Sequence, residues 1–131
     1  MGKGLRAGDR IVGVDIGGTK MMAAVLDHKF EIVGRCRKKS RSSKGDEKAE
    51  DRITRVVQSA LEDAGVKEVA GIGVGSPGPL DPETGVIIDT PNLAWKDFPL
   101  AKHLSDAFGV PVAVDNEVNM GTYGEWHFGE V

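Results

Sequence analysis

The chain has 131 residues, 40% hydrophobic and 28% charged, with a formal net charge of −3, which is the material for one soluble domain around one core. No apolar run approaches the roughly 18 residues of a membrane span, the polar first ten residues lack the apolar centre of a secretory signal, and the acidic balance argues against a nucleic-acid-binding role. A single cysteine, Cys36, allows neither an internal disulfide nor a cysteine zinc site and fits a reducing cytoplasm.

In chain order, the apolar run 11–16 ends in Gly17-Gly18 and predicts a buried strand with a tight turn. Residues 20–27 and 30–36 follow as two more strands, and connections this short require antiparallel pairing. Over residues 46–64, Ala49, Ile53, Val56, Val57, Ala60, Leu61 and Ala64 recur at helical spacing, with acids crowding the first turns and Gly65 placed to stop the helix. A buried strand is expected over 69–74. Residues 76–98 hold Pro77, Pro79, Pro82 and Pro91 and read as a loop region with a small hairpin arm at 85–88. A second amphipathic helix carries Leu100, Leu104, Ala107 and Phe108, opened by Pro99 and closed by Gly109. A strand over 111–114 and a last helix from Asn116 to about Trp126 complete the order β-β-β-α-β-α-β-α. That order predicts an α/β fold with a mixed five-stranded sheet, as in a ribonuclease-H-like half-domain, with residues 1–131 forming a single domain.

Three clusters could carry chemistry. Asp15-Ile-Gly-Gly-Thr-Lys20 joins a strand end to a turn whose glycine amides can approach an anion, with the Thr19 hydroxyl, the Lys20 ammonium, and Asp15 suited to hold hydrated Mg²⁺. The competing reading is an ordinary Gly-Gly hairpin with solvated Asp and Lys. Asp115-Asn116-Glu117 opens the last helix. Asn116 offers donors and acceptors to a polyhydroxylated ligand and Glu117 a carboxylate to accept a proton, while helix capping is the alternative. Asn92 and Trp95 could hydrogen-bond and shield a ligand, but taken alone they read rather as a turn asparagine and a satellite-core tryptophan. Gly73-x-Gly75-x-x-Gly78 has dinucleotide-loop spacing, but prolines stand where that fingerprint needs a helix. The cation-rich stretch 35–44 is read as a solvated strand end and loop, and His28, His103 and His127 share no metal-ligand spacing.

The stretches VGVDIGGTK (12–20), GIGVGSPGPLD (71–81), TPNLAWKDFPL (90–100) and VDNEVNMGTYGEWHFG (114–129) together resemble the ROK family, which groups bacterial sugar kinases such as glucokinases with sugar-responsive repressors. DIGGTK alone is shared widely among actin-like ATPases, whereas the last two stretches are far more specific. The resemblance implies an actin-like ATPase fold of two lobes around a cleft and phosphoryl transfer from ATP, with Mg²⁺, to a hexose such as glucose. It implies that Asp15, Gly17, Gly18, Thr19 and Lys20 form the first phosphate loop and that Gly78, Asn92, Asn116 and Glu117 face the sugar. It makes Glu117 the catalytic base, where the family usually has aspartate. The extra methylene moves the carboxylate by about 1 Å, and such a displacement can cost ~100-fold in rate.

ROK kinases usually run to about twice this length. The missing C-terminal lobe would supply the second phosphate loop, the adenine pocket and the His/Cys zinc site, so this chain is expected to be inactive alone and to hold no zinc. The repressors' DNA-binding helices are not expected ahead of a strand that begins at Ile11. Two other readings are a non-catalytic sugar-binding or regulatory module, and a lobe that forms homodimers through the face meant for its second half.

Overall fold

The computed structural model describes residues 9–17, 19–40, 48–76, 79–90 and 95–116. The elements in order are β1 (Ile11–Ile16), β2 (Lys20–Leu26), β3 (Ile32–Lys39), α1 (Ala49–Ala64), β4 (Gly71–Gly75), β5 (Leu80–Asp81), β6 (Val86–Thr90), β7 (Trp95–Pro99), α2 (Leu100–Phe108) and β8 (Val112–Asp115). The last helix expected from the sequence lies outside the described residues.

β1 sits at the centre of a five-stranded mixed sheet of order β3-β2-β1-β4-β8. It pairs antiparallel with β2 and parallel with β4. The reason is local: two short turns force the first three strands into a meander, and α1 provides the long return that parallel pairing needs. Strand alternation then sorts the side chains. Val12, Val14 and Ile16 share one face with Met21, Ala23 and Val25 of β2, Ile72 and Val74 of β4, and Val114 of β8, all buried. α1 lays Ile53, Val56, Val57, Ala60 and Leu61 onto that face, and α2 adds Leu100 and Leu104. Both helices stop at glycines in left-handed geometry, Gly65 and Gly109, each with φ of 69°. The helices are tied by His103, whose Nε2 lies 2.8 Å from Glu50 O and 3.0 Å from Thr54 Oγ1. The carbonyl can only accept, so Nε2 carries the proton there.

Residues 76–98 depart from expectation. Beyond a hairpin arm, they build a second, three-stranded antiparallel sheet of order β5-β6-β7. Ile87 is fully buried and joins the main core, and Trp95 stacks on Phe98 with centroids 4.8 Å apart. The ladder skips the Ile88–Asp97 pair. There Asp97 takes φ of 50° and the Ile88 N–H donates to Pro79 O at 2.9 Å. Gly85, with φ of 71°, closes the β5–β6 turn. A Cβ at that position would lie 2.2 Å from the Ala101 side chain, so the turn presses directly on α2. β3 also differs from expectation. It begins two residues later than the apolar run and continues through Arg37, Lys38 and Lys39, placing half of the cationic stretch on an edge strand. Phe30 falls outside it, in the turn, at φ of 62°.

Candidate functional site

The C-terminal ends of β1, β4 and β8 line up. Asp15 is opposite Gly75, and Gly75 is opposite Asp115. With strands spaced about 4.8 Å apart, Asp15 and Asp115 stand roughly 10 Å from one another in backbone. Just beyond this row the buried Ser76 donates its N–H to Asp115 O at 2.9 Å, and the Asn116 N–H turns back to Asp115 Oδ1 at 2.7 Å. Carboxyl ends of parallel strands are where open α/β sheets place their ligands, because the departing loops leave a crevice there.

At the β1 end the chain reverses tightly. The Gly17 N–H donates to Lys20 O at 2.8 Å. Ser40, at the end of β3 and only 1% exposed, holds both sides of the reversal. Its Oγ donates to Gly17 O at 3.0 Å and its N–H donates to Thr19 O at 2.8 Å. Beside the reversal lies a hollow of about 280 Å³ lined by Asp15, Gly17, Thr19, Lys20, Met21, Met22 and Arg37. Asp15, Thr19, Lys20 and Arg37 are all exposed there. Arg37 Nη2 donates a weak hydrogen bond to Met22 Sδ at 3.9 Å, which leaves most of the guanidinium's donors open. Among the described residues no carboxylate pairs with Lys20 or Arg37.

Four of the sequence-derived candidates, Asp15, Gly17, Thr19 and Lys20, therefore meet around one hollow. Asn116 stands on the same sheet edge, two strands away, and does not line that hollow. Gly18, Gly78, Asn92 and Glu117 lie outside the described residues. Trp95 is 3% exposed and packed in the core. Sequence reasoning missed Ser40 and Arg37. Both belong to a stretch read as solvated, and only the β2–β3 register reveals where they point. Among the described residues no three His, Cys, Asp or Glu side chains gather.

The model of the ROK family matches residues 11–131. This chain belongs to the ROK family. Among its ROK relatives, the glucokinase of Streptomyces coelicolor is 31% identical over 119 residues, covering 90% of this chain and 36% of that protein. A putative xylose repressor of a Caldicellulosiruptor species is also 31% identical, over 121 residues, covering 91% of this chain and 30% of the repressor. The fold is similar to the crystal structure of a ROK family glucokinase from Streptomyces griseus in complex with glucose and AMPPNP. The TM-score is 0.70 at 32% identity, over 92% of this chain and 37% of that one. The chain thus spans about a third of the length of the relatives it matches, which are about three times as long rather than the expected twice.

Proposed function

We propose that these residues form the first, ribonuclease-H-like lobe of an actin-like ROK sugar kinase. The whole protein would transfer the terminal phosphoryl group of ATP to a hexose hydroxyl in the cytoplasm, with glucose the first candidate. The observation that carries this reading is the hollow at the end of β1, where Asp15, Thr19 and Lys20 surround a reversal fixed by Ser40. A single carboxylate beside a phosphate-sized hollow fits hydrated magnesium, which takes few protein ligands and keeps water and phosphate oxygens. When bound, that ion neutralises charge on the transferring phosphates.

The chain's own residues do the rest. The Gly18 and Thr19 amides, the Thr19 hydroxyl and the Lys20 ammonium hold the terminal phosphates, while the Gly17 N–H is spent inside the turn on Lys20 O. Asn116, with Gly78 and Asn92, orients the sugar. Glu117 accepts the hydroxyl proton as the oxygen attacks in line with the leaving group. Asn116, which follows β8 directly, stands two strands from β1, so it and the phosphate turn share one sheet edge.

A regulatory reading has one observation in its favour: the xylose repressor relative is as similar to this chain as the glucokinase is. Coupled ADP-release measurements separate the two. The 131-residue chain should show no turnover with ATP and glucose, whereas the chain joined to a second ROK lobe should release ADP only when both substrates are present. Glucose binding by calorimetry without any ADP release from the completed protein would favour the sensor. Turnover by the 131 residues alone would contradict the need for a second lobe.

A further inference from the structure

The hollow at the β1–β2 turn is bordered by a strand that carries no assigned function. Across the antiparallel β2–β3 pair, Lys20 is directly opposite Lys39, and Met22 is directly opposite Arg37. Met22 is in turn opposite Asp15 on β1. Directly opposed residues of an antiparallel pair project to the same side of the sheet. Lys20, Arg37 and Lys39 are therefore neighbours on the face that carries Asp15, and all three are exposed.

That arrangement is costly without a partner. Like charges directly opposite one another destabilise a sheet. Among the described residues no carboxylate pairs with Lys20, Arg37 or Lys39. The cluster is local rather than a reflection of overall charge, because the chain as a whole is acidic at −3. Nor is it loosely held. Ser40, the residue after Lys39, is bonded to both sides of the Gly17–Thr19 reversal. Lys39 O accepts a hydrogen bond from Arg52 Nε of α1 at 2.6 Å. The strand end is thereby held in fixed relation to the turn.

We propose that Arg37 and Lys39 of β3, together with Lys20, form an anion cradle for a linear triphosphate group seated beside the Gly17–Thr19 turn. This rests on reading that turn as phosphate-binding and adds to it the two β3 residues. A guanidinium offers several donors in a planar fork that matches phosphate oxygens, and an ammonium supplies a point charge. Alternate residues on a strand lie about 7 Å apart, so Arg37 and Lys39 can reach separate phosphoryl groups of one triphosphate. The chemistry is that of the triphosphate itself, whether borne by a nucleotide or free as inorganic tripolyphosphate.

Isothermal titration of the 131-residue chain with inorganic tripolyphosphate and, separately, with ATP–Mg tests the cradle and its source. The expected result is binding of both, with comparable affinity if the triphosphate alone is recognised and tighter tripolyphosphate binding if an inorganic donor is preferred. The double variant Arg37→Gln/Lys39→Gln should weaken both by about 10-fold or more. The charge-matched control Lys29→Gln/Lys67→Gln should leave them nearly unchanged. Because Lys39 opposes Lys20, Lys39→Gln should melt no lower than the parent without ligand, which shows that lost binding is not lost folding. Normal binding by the Arg37/Lys39 double variant, alongside loss in Lys20→Gln, would overturn the cradle and leave the phosphate turn standing. Binding of ATP–Mg without tripolyphosphate would overturn it too. Failure of the parent chain to bind either ligand would overturn the cradle and the phosphate-turn reading together.

Discussion

Ser40 shows how much a single small side chain can hold in place. Its hydroxyl is buried and bonded to Gly17 O, so Ser40→Ala removes the donor and leaves a carbonyl without its partner. The expected loss is about 1 to 3 kcal/mol in urea unfolding, with Ser40→Thr recovering part of it because the hydroxyl is kept. Stability of Ser40→Ala within about 0.5 kcal/mol of the parent would remove the clamp from the account. None of this was legible in the sequence. A serine after a row of cations reads as loop, and its hydroxyl's partner lies 23 positions away in the chain. Asp15, Thr19 and Lys20 were legible because a strand, two glycines and a hydroxyl-plus-amine pair occur consecutively, and adjacency in sequence carries their adjacency in space. Asn116 was legible as a strand-end residue, but its separation from the hollow follows from the strand order, which no local pattern encodes.

Among the elements, the helices were the most readable. The apolar positions of α1 and α2 fall on one face at three- and four-residue spacing, and each ends at the expected glycine. The second sheet was obscured because β5 is two residues long, prolines flank it, and Asp97 breaks the ladder at φ of 50°. The β2–β3 connection offers a pH-dependent test. Asp27 Oδ1 accepts the N–H groups of Lys29 at 2.9 Å and Glu31 at 3.0 Å. These bonds, chiefly that from Glu31, hold its carboxyl below the usual aspartate range. A lowered folded-state value means that the carboxylate's stabilisation is fully present above the unfolded value. It is lost as pH falls through the folded one, so the window lies below about pH 4. Asp27→Asn should therefore melt lower than the parent at neutral pH, with the gap closing as the solution is acidified through that window. A gap that stays constant from pH 7 to about pH 2 would contradict the assignment.

For the whole molecule, the sheet accounts for the site's location. β1, β4 and β8 run parallel and end in one register row, so residues scattered between positions 15 and 116 reach the same edge. The chain spans about a third of its relatives' length, and the proposal treats that edge as one wall of a cleft. Under that proposal, the phosphate turn would hold the donor in the completed protein and Glu117 would take the acceptor's proton. The most direct test is kcat for hexose-dependent ADP release by the completed kinase carrying Glu117→Gln, with Glu117→Asp alongside. The account predicts a fall of about 100-fold or more in kcat for Glu117→Gln with little change in the KM for hexose, and retained or improved turnover for Glu117→Asp. A Glu117→Gln enzyme as fast as its parent would contradict it.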